Sequence, residues 1–147
     1  MLKLNIGCGN LPIEGFKNVD ISKEAKADEV YDLTKGIPEE NGSCNEVNAG
    51  CVLEQIDSNK DFMFVMNEVY RVLCKGGVFT GYVPSTHPDV MYLDQMDKRF
   101  FKQESFDYFD KTKHHWQEFG RVYGFKGWSS AETLYKSNHI IHFKLTK

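Results

Sequence analysis

The feature that most constrains this sequence is an apolar stretch near the amino terminus that runs directly into two glycines. Residues 4–10 read LNIGCGN, and the pattern predicts a short buried strand over residues 3–7 that is ended by glycine. Glycine weakens a strand, but it lets the chain turn sharply and leaves the backbone open to close approach. The stretch therefore predicts that a ligand lies against the backbone at Gly7 and Gly9.

The rest of the chain predicts an α/β fold. The clearest helix covers residues 58–73, because Ser58 can cap it, Asp61 follows three residues later, and apolar side chains recur at helical spacing. Further strands are predicted over residues 16–21, 28–33 and 78–83 and at the start of the stretch 45–53. An alternating strand suited to antiparallel pairing is predicted over residues 139–146. Such an order indicates a mostly parallel sheet, which binds ligands beyond the carboxyl ends of its strands.

The connections between the first strands are too short for ordinary helices. A parallel crossover usually needs a dozen or more residues, yet residues 10–15 and 22–27 are all that join the first three strands. We therefore expect reduced helices in this half of the sheet, and one long helix at 58–73. A bare parallel sheet would expose apolar surface, so either the aromatic segment 97–119 folds over it or a second copy of the chain covers it. We expect a homodimer.

Composition limits the classes of function. The length of 147 residues predicts a single domain over 1–147, and the net charge of −3 argues against tight nucleic-acid binding. No apolar run is long enough to span a membrane, and no secretory signal precedes the first strand, so we expect a cytoplasmic location. The four cysteines lack C-x-x-C spacing, and no metal site is predicted.

Two acidic residues stand where the next strands are predicted to end. Asp20 closes the second strand, where a carboxylate can accept hydrogen bonds from both ribose hydroxyls. Asp32 closes the third, where a carboxylate followed by the apolar Leu33 can meet the amino group and the ring of an adenine. The glycine loop and these two carboxylates together indicate an adenosine-containing cofactor.

Several motifs in order, LNIGCGN, GFKNVDI, YDLT, CVLEQI and RVLCKGG, resemble those of class I S-adenosylmethionine-dependent methyltransferases over about residues 2–84. The resemblance implies a Rossmann-like fold and S-adenosylmethionine as cofactor. It implies that Gly7, Cys8 and Gly9 bind the methionine part, and that the ribose lies at Asp20 and Ile21 and the adenine at Asp32 and Leu33. It also implies that Asn5, in place of the usual acidic residue, lies near the amino group, and Gly50 and Cys51 near the sulfonium.

The sequence departs from that family at several positions, which leaves other functions open. Cys51 and Gln55 replace residues that are often histidine, and Asn5 cannot form an ion pair. One alternative is therefore a non-catalytic module that binds S-adenosylmethionine. Another is a nicotinamide-dependent oxidoreductase, but its G-x-G-x-x-G motif fails here because position 12 is Pro12.

The methyl acceptor is expected beyond the fifth strand. Methyl transfer to oxygen or nitrogen often needs a base, and His87 and Asp94 are the catalytic candidates because they follow that strand most closely. Asp97, which replaces a histidine of some relatives, and His114 and His115 are further candidates. The aromatic residues of this segment can stack on a flat substrate or pack as core. We expect a small-molecule or glycan acceptor.

Overall fold

All seven strands of the protein form one mixed sheet. The computed structural model describes all 147 residues, and its strands follow the order β3-β2-β1-β4-β5-β7-β6. Strands β1 to β5 are parallel to one another, and β7 is antiparallel to both of its neighbours. The bounds are β1 Leu2–Ile6, β2 Lys17–Asp20, β3 Glu29–Val30, β4 Cys44–Gly50, β5 Leu73–Pro84, β6 Ser130–Tyr135 and β7 Ile140–Thr146. The predicted fold class is confirmed.

One long helix, α1 (Asn59–Val72), packs on this sheet as the sequence predicts. The Ser58 side chain accepts a hydrogen bond of 3.0 Å from the backbone N–H of Asp61, which caps the first turn. The buried face of α1 consists of Phe62, Val65, Met66, Val69 and Val72. No helix of the protein is long and apolar enough to cross a membrane.

Two strands, β3 and β5, differ clearly from their predicted bounds, and a third, β6, was not predicted. β3 is only two residues long, because Asp32 accepts hydrogen bonds from the backbone N–H and hydroxyl of Thr34 and starts a short 3-10 helix at Leu33–Lys35. β5 begins directly after α1 and passes through Gly76. β6 has no predicted counterpart, because its sequence SAETLY lacks an alternating apolar face and lies at the edge of the sheet.

The helices between the first strands are reduced, as the short connections predict. Residues 7–16 and 21–28 contain no helix, and the connection from β3 to β4 contains only the 3-10 helix at Leu33–Lys35. The remaining helical segments are Leu53–Gln55, Gln103–Tyr108, a π-helical turn at Trp116–Gly120 and α2 (Arg121–Tyr123). Helix α1 is therefore the main cover of the sheet.

The aromatic segment 97–119 packs on the same face as α1, and not over the first three strands. Phe106 stacks on Phe143 of β7 with ring centroids 4.8 Å apart. Phe101 and Phe109 each lie 6.2 Å from Phe62 of α1, and Phe101, Phe106 and Phe109 are all buried. The alternative in which this segment covers the opposite face is wrong, because its side chains complete the core beneath α1.

The opposite face of the sheet is open and polar. Side chains alternate between the two faces of a strand. Because Leu4, Val47 and Phe79 point into the core, the residues next to them in each strand have their side chains on the opposite face. There, Asn5 donates to Asn18 and accepts from Asn48, both at 2.9 Å. Two ion pairs share this face, Lys3–Glu46 at 3.0 Å and Lys144–Glu132 at 3.7 Å. The expectation of an apolar patch on this face is therefore wrong.

Candidate functional site

A cleft of about 610 Å³ lies at the carboxyl ends of the parallel strands. We call it the strand-end cleft. It combines the glycine loop after β1, the ends of β2 and β4, the 3-10 helix after β3 and the start of α1. Its lining residues are Gly7, Gly9, Val19, Asp20, Ile21, Tyr31, Asp32, Leu33, Thr34, Cys51, Val52, Gln55, Ile56, Asp57, Asp61 and Met96.

The glycine loop needs glycine for two physical reasons. Gly7 and Gly9 have φ angles of 63° and 49°, a left-handed conformation that side chains disfavour. At Gly7 a Cβ atom would also collide with the side chain of Val52. The loop is fixed by Asp20, whose carboxylate accepts a 2.7 Å hydrogen bond from the N–H of Gly9. The bare backbone at Gly7 and Gly9 therefore forms one wall of the strand-end cleft.

The two acidic residues predicted at strand ends both face this cleft. Asp20 accepts a second hydrogen bond, of 2.9 Å, from the N–H of Ser22, so its carboxylate is held in place from two sides. Asp32 uses one oxygen, Oδ1, for both hydrogen bonds from Thr34. These bonds lower the pKa of Asp32, which is therefore ionised at neutral pH. Both carboxylates retain lone pairs that a bound molecule can use.

Seven of the ten predicted cofactor residues line the strand-end cleft, namely Gly7, Gly9, Asp20, Ile21, Asp32, Leu33 and Cys51. The other three do not. Asn5 is buried on the open face of the sheet, where its amide is occupied by Asn18 and Asn48. Cys8 is buried, and this burial raises the pKa of its thiol. Gly50 lies against the ring of Tyr82, where a Cβ atom would come within 2.6 Å.

The charge of the strand-end cleft is negative. Asp20, Asp32, Asp57 and Asp61 line it, and no lysine, arginine or histidine does. A cationic ligand gains Coulomb attraction in such a cleft, whereas a phosphate group would be repelled.

A second cleft of about 520 Å³ adjoins the first, and Cys51 lines both. We call it the Glu54 cleft. It lies between the 3-10 helix after β4, the end of β5, the loop that follows β5 and the start of β7. Its lining residues are Cys51, Glu54, Pro84, Val90, Leu93, Asp94, Gln95, Asp97 and Ile140. The catalytic candidate Asp94 lies here, together with Asp97.

Glu54 is the functional candidate that the sequence analysis missed. The residue is only 1% exposed, and its Oε2 atom has no hydrogen-bond partner. Burial, followed by the nearby charge of Asp97, raises the pKa of Glu54 to about 7. Although Cys51 is exposed as a residue, loss of hydration around its thiol and the neighbouring Glu54 carboxyl raise the pKa of Cys51 to about 12, so this thiol stays protonated at neutral pH. Two sequence signals could have pointed to it: Glu54 lies in the CVLEQI motif, and its carboxyl stands between the apolar residues Leu53 and Ile56, which are both buried.

His87 lines neither of these clefts. It lies in a separate cleft of about 340 Å³ beside Ser85 and Tyr135, and its ring stacks on that of His139 at 3.5 Å. Nitrogens of these two histidines lie 3.7 and 3.8 Å from a carboxylate oxygen of Asp89. Ligand atoms of the three residues lie within 4.8 Å of one another, so this is the group of side chains that could hold a metal ion.

His114 and His115 also lie outside both clefts. The His115 ring is 3.9 Å from the carboxylate of Asp107 and packs beside Tyr108. These residues belong to the aromatic segment and its surface. The structure therefore brings together Asp94 and Asp97 with Glu54, and separates all three from the histidines.

No protein-family model and no curated protein sequence matches this chain. Solved structures do match it. A methyltransferase from Archaeoglobus fulgidus that depends on S-adenosylmethionine superposes with a TM-score of 0.70 and 12% identity, over 99% of this chain and 85% of that one. A possible histamine N-methyltransferase from Thermotoga maritima gives a TM-score of 0.66 and 16% identity, over 99% of this chain and 82% of that one.

A third similar structure contains bound small molecules. It is a phosphoethanolamine N-methyltransferase from Haemonchus contortus in complex with phosphomonomethylethanolamine and S-adenosylhomocysteine. Its TM-score is 0.64 at 13% identity, and the match covers all of this chain and 48% of that one. Together with the strand order, these similarities show that the chain has the fold of the class I S-adenosylmethionine-dependent methyltransferases.

Proposed function

We propose that the protein binds S-adenosylmethionine in the strand-end cleft and transfers its methyl group to a small-molecule or glycan acceptor in the Glu54 cleft. When bound, the cofactor supplies a methyl group on a positively charged sulfonium. Asp20 accepts hydrogen bonds from the ribose hydroxyls, and Asp32 accepts one from the adenine amino group. Ile21 and Leu33 contact the adenine ring. The backbone at Gly7 and Gly9 leaves room for the methionine part.

The observation that carries this proposal is the charge of the strand-end cleft. Four aspartates and no basic residue line it, which suits a cationic sulfonium and a cationic amino group. A nicotinamide dinucleotide would instead need backbone N–H groups or basic side chains for its pyrophosphate. The cleft charge therefore favours S-adenosylmethionine over the oxidoreductase alternative.

The position of the Glu54 cleft supports it as the acceptor site. It meets the strand-end cleft at Cys51, so an acceptor there lies beside the cofactor's expected sulfonium. Holding the donor and the acceptor in line supplies much of the rate of a displacement. The Haemonchus enzyme, whose structure contains a small phosphorylated amine, supports a small-molecule acceptor by analogy of fold.

Calorimetry with S-adenosylmethionine, S-adenosylhomocysteine and NAD⁺ tests the proposal. We expect the first two to bind and NAD⁺ not to bind. Replacing Asp20 with Ala should weaken binding by about 10- to 100-fold, because hydrogen bonds to a charged group contribute roughly 1.5–3 kcal/mol.

A matched control is Glu46→Gln, which removes a carboxylate on the open face of the sheet. We expect this variant to bind the cofactor as the wild-type protein does. Binding of NAD⁺ alone would contradict the proposal. Firm binding of S-adenosylmethionine with no methyl transfer to any acceptor would favour the non-catalytic module.

A further inference from the structure

We propose that the acceptor is an amine, which enters the Glu54 cleft as an ammonium ion and gives its proton to the Glu54 carboxylate. This inference rests on the proposed function, because it identifies the chemical class that the second cleft receives. Under this inference the protein is an N-methyltransferase, and Glu54 is its catalytic base.

The first argument is a buried carboxyl oxygen without a partner. Glu54 lines the cleft but is only 1% exposed, and its Oε2 atom has no hydrogen-bond partner. A buried carboxylate is costly unless a cation or hydrogen-bond donors satisfy it. The backbone N–H groups of Lys98 and Arg99 do not serve this purpose, because they donate to the backbone carbonyl of Glu54. An ammonium ion in the cleft would supply both the missing charge and the missing donors.

The second argument is the charge around Glu54. Asp94 and Asp97 line the same cleft, and Oδ1 of Asp97 is also buried without a partner. No lysine, arginine or histidine lines the cleft. The ionisable groups that face Glu54 are Cys51 after β4, Tyr82 on β5, and Asp94 and Asp97 in the loop after β5. Carboxylates without basic partners repel an anionic acceptor and attract a cationic one.

The remaining lining suits the body of a small amine. Pro84, Val90, Leu93 and Ile140 provide apolar surface, so the acidic groups are concentrated among Glu54, Asp94 and Asp97. A ligand with one cationic nitrogen on an apolar body matches this division. A glycan acceptor, which presents hydroxyl groups in every direction, matches it less well.

The chemistry balances with Glu54 as the base. The ammonium N–H proton moves to the Glu54 carboxylate, which leaves a neutral amine with a free lone pair. The nitrogen then forms a bond to the methyl carbon as the carbon–sulfur bond breaks, and the bonding electron pair stays on sulfur. The product is a methylated ammonium ion and a neutral thioether. Because burial raises the pKa of Glu54 to about 7, this carboxyl can both take up and release a proton near neutral pH.

A binding experiment tests the charge preference without the cofactor. Benzylamine, benzyl alcohol and benzoate have the same ring and differ in their polar group, so NMR titration with each compares the three charges directly. We expect benzylamine to bind, and to shift the signals of residues in the Glu54 cleft. Glu54→Gln keeps the shape of the side chain and should weaken benzylamine binding at least tenfold, whereas Glu46→Gln should not change it.

A transfer experiment tests the role of Glu54 in catalysis. With isotope-labelled S-adenosylmethionine and a panel of primary amines and matched alcohols, we expect only the amines to be methylated. Glu54→Gln should lower kcat about 10²- to 10⁴-fold and remove the rise of the rate with pH near neutrality. Asp97→Asn should mainly raise KM, because Asp97 is expected to attract the ammonium ion rather than to accept its proton.

The outcomes separate this inference from the proposed function. If S-adenosylmethionine does not bind, the proposed function fails, whatever the amines do. If it binds but benzyl alcohol or benzoate binds as well as benzylamine, or if benzylamine does not bind at all, the inference is overturned. Methylation of alcohols and not amines, or an unchanged rate in Glu54→Gln, would overturn it equally.

Discussion

The Glu54 carboxyl makes the stability of the protein depend on pH in an unusual direction. Its pKa is about 7 in the folded state, against 4.5 for an exposed glutamate. Between these values the folded state binds more protons than the unfolded state, so the free energy of unfolding falls as the pH rises. At one pKa unit per 1.36 kcal/mol, the contribution is at most about 3 kcal/mol. Most carboxylates with native partners have the opposite effect.

Urea unfolding at about pH 5 and about pH 8 measures this effect. We expect the wild-type protein to lose stability between the two values relative to Glu54→Gln, which cannot titrate. The comparison between the two proteins cancels the contributions of groups that titrate independently of Glu54. Equal pH dependence in both proteins would contradict the assigned protonation of Glu54.

Single residues also show where sequence reasoning reaches its limit. Asp20 and Asp32 could be proposed because each is predicted to end a strand beside a recognisable motif, and the structure brings both to one cleft. Glu54 also lies in a recognisable motif, CVLEQI, but its burial and its proximity to the distant Asp94 and Asp97 are visible only in the structure. His87 follows β5 closely in sequence, as Asp94 does, but the loop after β5 turns it toward His139. Distance along the chain does not reveal which way a loop turns.

At the scale of elements, a chain of amide side chains replaces the missing helix between β1 and β2. Asn18 accepts hydrogen bonds from the Asn5 side chain and from the N–H of Ile13, and it donates to the carbonyl groups of Ile13 and Phe16. It thereby fixes the connecting loop against the sheet. Asn5 must donate to Asn18, and a carboxylate at this position could not. This explains why an amide occupies a position where the resembled family usually has an acid.

Restoring the acid in Asn5→Asp should therefore destabilise the protein. The variant would place carboxylate oxygens against the Asn18 oxygen and bury an unpaired charge, so we expect a loss of about 2–4 kcal/mol in urea unfolding. Asn138→Asp makes the same chemical change in the exposed turn between β6 and β7 and should change stability by less than about 0.5 kcal/mol. Equal stability of the two variants would show that the amide chain does not hold the loop.

The elements themselves were predictable to different degrees for physical reasons. Helix α1 has its cap and its apolar face within one stretch of sequence, so both were found. Edge strand β6 is largely exposed and has no such pattern, because its stability comes from pairing with β7. The short length of β3 depends on the Asp32 cap, which competes with strand formation at the same residues.

At the scale of the whole molecule, the polar open face bears on the oligomeric state. The expected homodimer depended on an apolar face that needed cover, but Asn5, Asn48 and the Lys3–Glu46 pair occupy that face. Polar groups of this kind can face water without a partner. We therefore now expect a monomer in sedimentation velocity at micromolar concentration. A dimer that persists at high salt would show that another surface drives association.

The short connections between the first strands also lower the entropic cost of forming that half of the sheet. Closing residues 7–16 brings β1 to β2, whereas residues 85–139 separate the paired strands β5 and β7. Loop-closure entropy grows with the logarithm of length, so the longer closure costs roughly 1–1.5 kcal/mol more. The half of the sheet that carries Gly7, Asp20 and Asp32 is thus encoded by near neighbours in the chain. The half that completes the Glu54 cleft depends on contacts between distant parts of the sequence.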